Sequence, residues 1–269
     1  MSLKIGFTAQ KENEQATAVM PAVGIQSAPR KSVVRVYFPE RDMTCAYYND
    51  AFDLHPGDTV YVEGKLEGLR GRVVEVSYSF KIKLTDYKRV ISKADTEVHG
   101  EFFMGGSHFI AFDPFAIPFA KVRTWFKAPE DPEDPYVSCT EDRPFSLDRL
   151  DLKIKPHIAE RGEDYYLQNR VAYISIDGDC GRAIVEGGEP YEVEFTYRNG
   201  QISNLICNCF CTDTCKHEFA AMLQLRETLR IIEEHYAEPF RKAGYFAAVR
   251  KQVLFSIAID SKESGRFTL

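Results

Sequence analysis

Residues 207–217 read Cys-Asn-Cys-Phe-Cys-Thr-Asp-Thr-Cys-Lys-His, four thiols and an imidazole in eleven positions. A stretch this short cannot bury an apolar core of its own. Thiolate sulfur and imidazole nitrogen are the donors that Zn²⁺ prefers, and four of them around one ion make a closed, structural site. Two sets of four are chemically sound. Cys207, Cys209, Cys215 and His217 form one. Cys209, Cys211, Cys215 and His217 form the other. The first is preferred, because Cys207 and Cys209 continue the register of a strand and leave five residues for the chain to turn. Cys211 then sits in that turn as a free thiol or an occasional substitute. A catalytic zinc would need an open coordination position beside an acid–base group. Glu218 is the one carboxylate next to a ligand, and it suits the first turn of a helix, where negative charge is favoured.

The elements that must position these ligands are legible around them. Residues 171–176, 182–185 and 191–197 are rich in β-branched and aromatic residues and predict strands. Asn199-Gly200 is a two-residue hairpin signal, and residues 201–206 return as a strand that runs into Cys207. Residues i and i+2 of a strand point the same way, so Cys207 and Cys209 can face one ion. After His217 the apolar period changes to 3.6, and residues 216–236 predict an amphipathic helix carrying Phe219, Met222, Leu223, Leu225 and Ile232. Cys215 and His217 then fall at its start, where unpaired backbone N–H groups favour a thiolate. A metal at such a small strand-to-helix corner contributes folding free energy. Residues 147–162 predict a short polar-to-helical piece. The tail from Phe246 predicts a short helix and a closing strand pair around Asp260-Ser261-Lys262.

The whole chain has 269 residues, 44% of them hydrophobic, which suffices for two domains. Residues 1–30 are small and polar and suggest a loosely ordered leader. Runs at 33–38, 43–48, 59–63 and 72–84, then a hairpin over 102–112 around Gly105-Gly106, predict strands without helices between them. The expected fold is α+β: an N-terminal, mostly β small barrel of SH3- or OB-like kind over 31–127, then a β-meander and ββα zinc-finger domain over 145–269. Between them lies an acidic, proline-rich linker over 128–144, with Pro129, Pro132, Pro135 and Pro144 among six carboxylates. Lys and Arg number 34 against 40 Asp and Glu, a net charge of −6, which is not the balance of a dedicated nucleic-acid binder. No apolar run predicts a membrane span or a secretory signal. An odd total of 7 cysteines, four of them clustered, argues against a secreted disulfide scaffold and for a reducing cytoplasm. Isolated groups such as His108, Cys45, Cys180 and Trp125 are expected to be structural.

Taken together, Cys207-x-Cys209, a gap of five, Cys215-Lys216-His217 and the apolar run 219–223 resemble the SWIM zinc finger. Upstream, Arg161-Gly162-x-x-Tyr165-Tyr166, Arg170-Val171 and the stretch 183–193 with Gly187-Gly188 look like the segment preceding that finger in bacterial SWIM proteins. The gap is at the short end of the family range, and Cys211 within it is a departure. The resemblance covers roughly 147–235. It implies a non-enzymatic zinc module that binds DNA or a nucleic-acid-associated protein, often beside a helicase-type ATPase. No GxxxxGK[ST] loop occurs, so such an ATPase would be a separate chain. A pure protein–protein adaptor without nucleic-acid contact is the competing expectation. For nucleic acid, Arg70, Arg72, Lys81 and Lys83 with Tyr78 and Phe80 interleaved are the candidate contacts, although Glu75 and Asp86 interrupt the run.

Overall fold

A computed structural model describes residues 4–6, 29–129, 144–152, 154–211 and 213–259. The fold is α+β, with two antiparallel sheets and five helices among the described residues. The smaller sheet uses β2 (Ser32–Phe38), β3 (Met43–Asn49), β4 (Thr59–Val62), β5 (Gly71–Ser77) and β6 (Val90–Lys93), in the order β3-β2-β5-β4-β6. Alternation in β2 buries Val34, Val36 and Phe38 against Leu54, Val60, Val62 and Val73. The edge strands also approach each other: the Tyr48 N–H donates to the Lys88 carbonyl at 2.9 Å, and Tyr48 bridges Arg89 in parallel.

The larger sheet has the order β1-β7-β8-β14-β10-β11-β12-β13-β9. Its strands are β1 (Lys4–Gly6), β7 (Glu101–Gly105), β8 (His108–Ala111), β9 (Phe145–Ser146), β10 (Val171–Asp177), β11 (Cys180–Glu186), β12 (Pro190–Arg198), β13 (Gln201–Cys207) and β14 (Tyr245–Arg250). The meander from β10 to β13 follows the expected strands. Its last turn places Asn199 at φ 51° and Gly200 at φ 76°, the left-handed pair that a type I′ turn requires.

Three expectations change. The alternation read over 72–84 ends as a strand at Ser77, and the following segment leaves the sheet with Tyr78, Phe80 and Leu84 exposed. The hairpin at 102–112 forms, but β7 and β8 pair within the larger sheet rather than with the small one. After the small sheet's β6 ends at Lys93, the next strand, from Glu101, belongs to the larger sheet. In the tail, Tyr245–Arg250 is a central strand held between β8 and β10, followed by α5 (Lys251–Val253) and a wide helical turn, Leu254–Ile259. Most of the leader (7–28), most of the linker (130–143) and the segment around Asp260 lie outside the described residues.

Both faces of the larger sheet are covered. α2 (Pro156–Leu167) and α3 (Lys216–His235) pack on one face, where Phe219, Met222, Leu225 and Ile232 meet Ile174, Ile176, Val185 and Phe195. Each such side chain contributes roughly 1.5–3 kcal/mol when fully buried. α1 (Phe119–Phe126) and the C-terminal helical segment cover the other face around Tyr173, Ile184 and Ala247; α4 (Ala237–Ala243) leads into β14. Coverage on two sides explains why β10 is buried from Val171 to Ile176 without alternation. α1 also ties the sheets together. The Tyr61 hydroxyl donates to the Thr124 carbonyl at 2.9 Å, and Arg70 Nη1 to the Trp125 carbonyl at 2.7 Å. Trp125 is fully buried, with its indole N–H on the Asp95 carbonyl, so its expected structural role holds.

His108, at the start of β8, is buried with Nε2 2.8 Å from the Val171 carbonyl and Nδ1 3.0 Å from the Ser107 hydroxyl. Burial lowers its pKa from 6.5 to about 4. The folded state therefore holds it neutral while the unfolded chain binds a proton. Its contribution is complete above pH 6.5 and is lost as pH falls toward 4, by about 3 kcal/mol in all. We expect His108→Gln to flatten the urea-unfolding free energy between those pH values relative to the unsubstituted protein. Equal slopes would overturn this assignment.

Candidate metal centre

Two elements deliver the four ligands. β13 pairs with β12, setting Cys207 opposite Val193, and Cys209 follows two residues later. Cys215 is the N-cap residue of α3, in an extended conformation at φ −110° and ψ 170°, and His217 lies in the first turn. The ligand atoms of Cys207, Cys209, Cys215 and His217 all fall within 4.8 Å of one another. His217 Nδ1 is 3.7 Å from the sulfur of Cys207 and 3.7 Å from that of Cys215. Bonds of about 2.0–2.3 Å to a tetrahedral Zn²⁺ place neighbouring donors about 3.5–3.8 Å apart, so these separations suit one shared ion. None of these thiols is in a disulfide. The cluster can hold a metal ion, and its donor set suits zinc better than a hard cation.

Backbone N–H groups complete the site. The Cys209 N–H donates to the Cys207 sulfur, the Cys211 N–H to the Cys209 sulfur, and the Glu218 N–H to the Cys215 sulfur at 3.4 Å. Each donor favours the thiolate, the form that binds metal. Cys211 is itself exposed and outside the cluster, so the alternative ligand set is not the one assembled; its backbone supports Cys209 instead. Cys215 loses its proton most readily, because the Cys207 thiol donates to it and His217 stands alongside. Cys207, the donor in that bond and well buried, is pushed up.

Glu218 does more than supply first-turn charge. Its carboxylate accepts the Cys215 N–H at 2.8 Å, closing a capping box, and also accepts the Cys207 N–H. One side chain thereby ties the end of β13 to the start of α3. Burial, and then the neighbouring Cys215, raise its pKa to about 8.

Aromatic rings hold the imidazole. The Tyr191 ring stacks on His217 with centroids 3.9 Å apart at 15°, and Tyr165 meets it edge-on at 5.4 Å. Nδ1 faces the sulfurs, while Nε2 is buried and has no hydrogen-bond partner among the described residues. A Cβ at Gly187 would lie 2.7 Å from the Tyr191 ring and 3.5 Å from Nε2, so a side chain there would crowd the stack. At Gly162 a Cβ would come within 2.7 Å of Phe219, and only glycine lets α2 approach the ligand-bearing helix. Tyr191, Gly187 and Gly162 were visible in sequence as part of a motif, but nothing local gave them these contacts.

No protein-family model, curated protein or solved structure matches the chain.

The candidate nucleic-acid residues differ in their surroundings. Arg70 is half-buried and spends its guanidinium on the Trp125 carbonyl. Arg72 lies on the outer side of β5, opposite Tyr37. Lys81 and Lys83 are exposed on the segment after β5, beside Tyr78 and Phe80. Arg30 stacks over the Tyr78 ring at 4.3 Å and Phe80 meets Tyr48 edge-on at 6.2 Å, and both Tyr78 and Phe80 stay exposed.

Elemental analysis of purified protein is expected to find one zinc per chain, retained in Cys211→Ser and lost in Cys207→Ser. Tyr191→Ala should keep all four ligands yet weaken zinc at least tenfold in a chelator competition, because the imidazole loses its stacking partner.

Proposed function

We propose that this chain is a non-enzymatic zinc-binding module of SWIM type, which contacts DNA or a nucleic-acid-bound partner in the bacterial cytoplasm. The observation that carries this reading is the closed ligand set. Four protein donors lie close enough together to fill all four positions around a tetrahedral ion, and Cys207, Cys215 and His217 are buried. Such a site has no open position for water or substrate, so the ion's role is to hold the strand-to-helix corner. Contacts then come from the surfaces that the corner orders. A helicase-type ATPase would act as a separate chain alongside. Among the described residues, no helix is long and apolar enough to cross a membrane.

For nucleic acid, the segment carrying Tyr78, Phe80, Lys81 and Lys83 has the better chemistry. Exposed rings offer stacking platforms worth about 1–3 kcal/mol per base, and the lysines neutralise phosphates. Glu75 pairs with Arg35 at 3.5 Å, which removes part of the opposing charge. Arg70 is left out of this surface, since its guanidinium is committed elsewhere.

The reading is tested by fluorescence anisotropy with a labelled single-stranded oligonucleotide across a salt series. Binding should weaken as salt rises. The double substitution Lys81→Glu, Lys83→Glu should reduce the log–log slope by about 1.4, and Phe80→Ala should weaken binding about tenfold with little change in slope. Salt-independent binding, or unchanged slopes, would exclude this surface.

A further inference from the structure

A cleft of about 810 Å³ runs between the small sheet and the metal corner. This size lies within the roughly 300–1,000 Å³ of ligand-binding clefts. One wall is the β4–β5 loop with Glu67 and Leu69, and Glu40 from the β2–β3 turn. The opposite wall is the β11–β12 turn, Gly187-Gly188-Glu189, with Asn208 and Phe210 from the metal loop. Phe210 is the most exposed large hydrophobic side chain among the described residues, at 101% of its reference area. A phenylalanine in that state, within a loop pinned by ligands on both sides, contributes nothing to the protein's own core.

Charge selects the occupant. The cationic groups of the cleft are already engaged: Lys127 pairs with Glu192 at 3.8 Å, and Arg70 holds the Trp125 carbonyl. Glu186 is answered by Arg250 at 2.5 Å. Glu40, Glu67 and Glu189 remain on the rim and make no ion pair among the described residues. The rim thus repels phosphate and attracts ammonium and guanidinium. Gly187 and Gly188 leave the wall between them without side chains, so a peptide backbone can approach closely.

We propose that this cleft binds a basic segment of a partner protein, with Lys or Arg side chains on Glu40, Glu67 and Glu189 and an apolar side chain on Phe210. The site is distinct from the aromatic–lysine segment after β5, so it stands or falls independently of nucleic-acid binding. It rests on the metal reading only for the wall formed by Asn208 and Phe210.

The test is fluorescence anisotropy of the zinc-loaded full chain with a labelled ten-residue peptide of alternating Arg and Leu. A Glu/Leu peptide of the same length serves as control. The Arg/Leu peptide should bind with micromolar affinity, weakening as salt rises, and the Glu/Leu peptide at least a hundredfold more weakly. Phe210→Ala, and separately Glu67→Lys with Glu189→Lys, should each weaken Arg/Leu binding at least tenfold. All these substitutions lie outside the ligand set, so zinc content should stay at one per chain and the oligonucleotide affinity of Phe210→Ala should not change. Comparable binding of both peptides, no binding of the Arg/Leu peptide at millimolar concentration, or full affinity in the two variants would each overturn the proposal. Self-association of the protein abolished by Phe210→Ala would also overturn it, by assigning the cleft to a second copy.

Discussion

The strand end at Cys207 and the helix start at Cys215 meet at one point, and the rest of the larger layer depends on that meeting. Only seven residues separate these two cysteines, too few to form an apolar corner. What holds the corner instead is polar: sulfurs and an imidazole within 4.8 Å, and a carboxylate that accepts N–H groups from both sides. In apolar surroundings such groups are costly to bury alone and strongly held when satisfied together. A divalent cation bound at their centre would convert mutual repulsion between thiolates into attraction. The orientation of α3, and with it the position of Phe219, Met222 and Leu225 over the sheet, follows from that arrangement.

The corner is also supported from outside. Tyr191 reaches it from β12, Tyr165 from α2, and Gly162 lets α2 lie close against α3. These contacts link the metal ligands to a strand of the meander and to the helix packed beside α3. On the far side of the sheet, α1 carries the connection to the small sheet through main-chain carbonyls of Thr124 and Trp125. The cleft between the two layers is therefore bounded by parts that are separately anchored. Its walls differ in origin, one from a tight loop of the small sheet and one from the ligand loop.

How much of this was legible in sequence depended on the range of the interactions concerned. Asn199-Gly200 specified its turn because the left-handed conformations it needs are a local property. The ligand set was legible because all four donors lie within eleven residues, and the strand register together with the five-residue gap for the turn favoured Cys207 over Cys211. α3 was legible from its period. By contrast, alternation in Arg72–Leu84 could not show that pairing ends at Ser77, since that depends on whether a neighbouring strand continues. Nothing near Phe102 indicates that its hairpin pairs with a strand about 140 residues later, whereas the even spacing of strands without helices between them groups it with the small sheet. Tyr245–Arg250 is too short and too rich in alanine to announce itself as a central strand. For the candidate contacts, positive charge was visible, but the carbonyl that occupies Arg70 was not. Phe210 did offer a signal, an apolar residue amid polar ligands, which only its full exposure made meaningful.

The place of β14 has a consequence for synthesis. It separates β8 from β10, so the early hairpin and the later meander share no ladder until β14 arrives between them. As the chain leaves the ribosome, β7 and β8 are made before the meander and keep an unsatisfied edge until β14 emerges. The meander and metal corner can assemble meanwhile from neighbouring residues. Closure of the sheet is thus a late, long-range event, and a nascent chain stalled before Tyr245 would display two open edges at once.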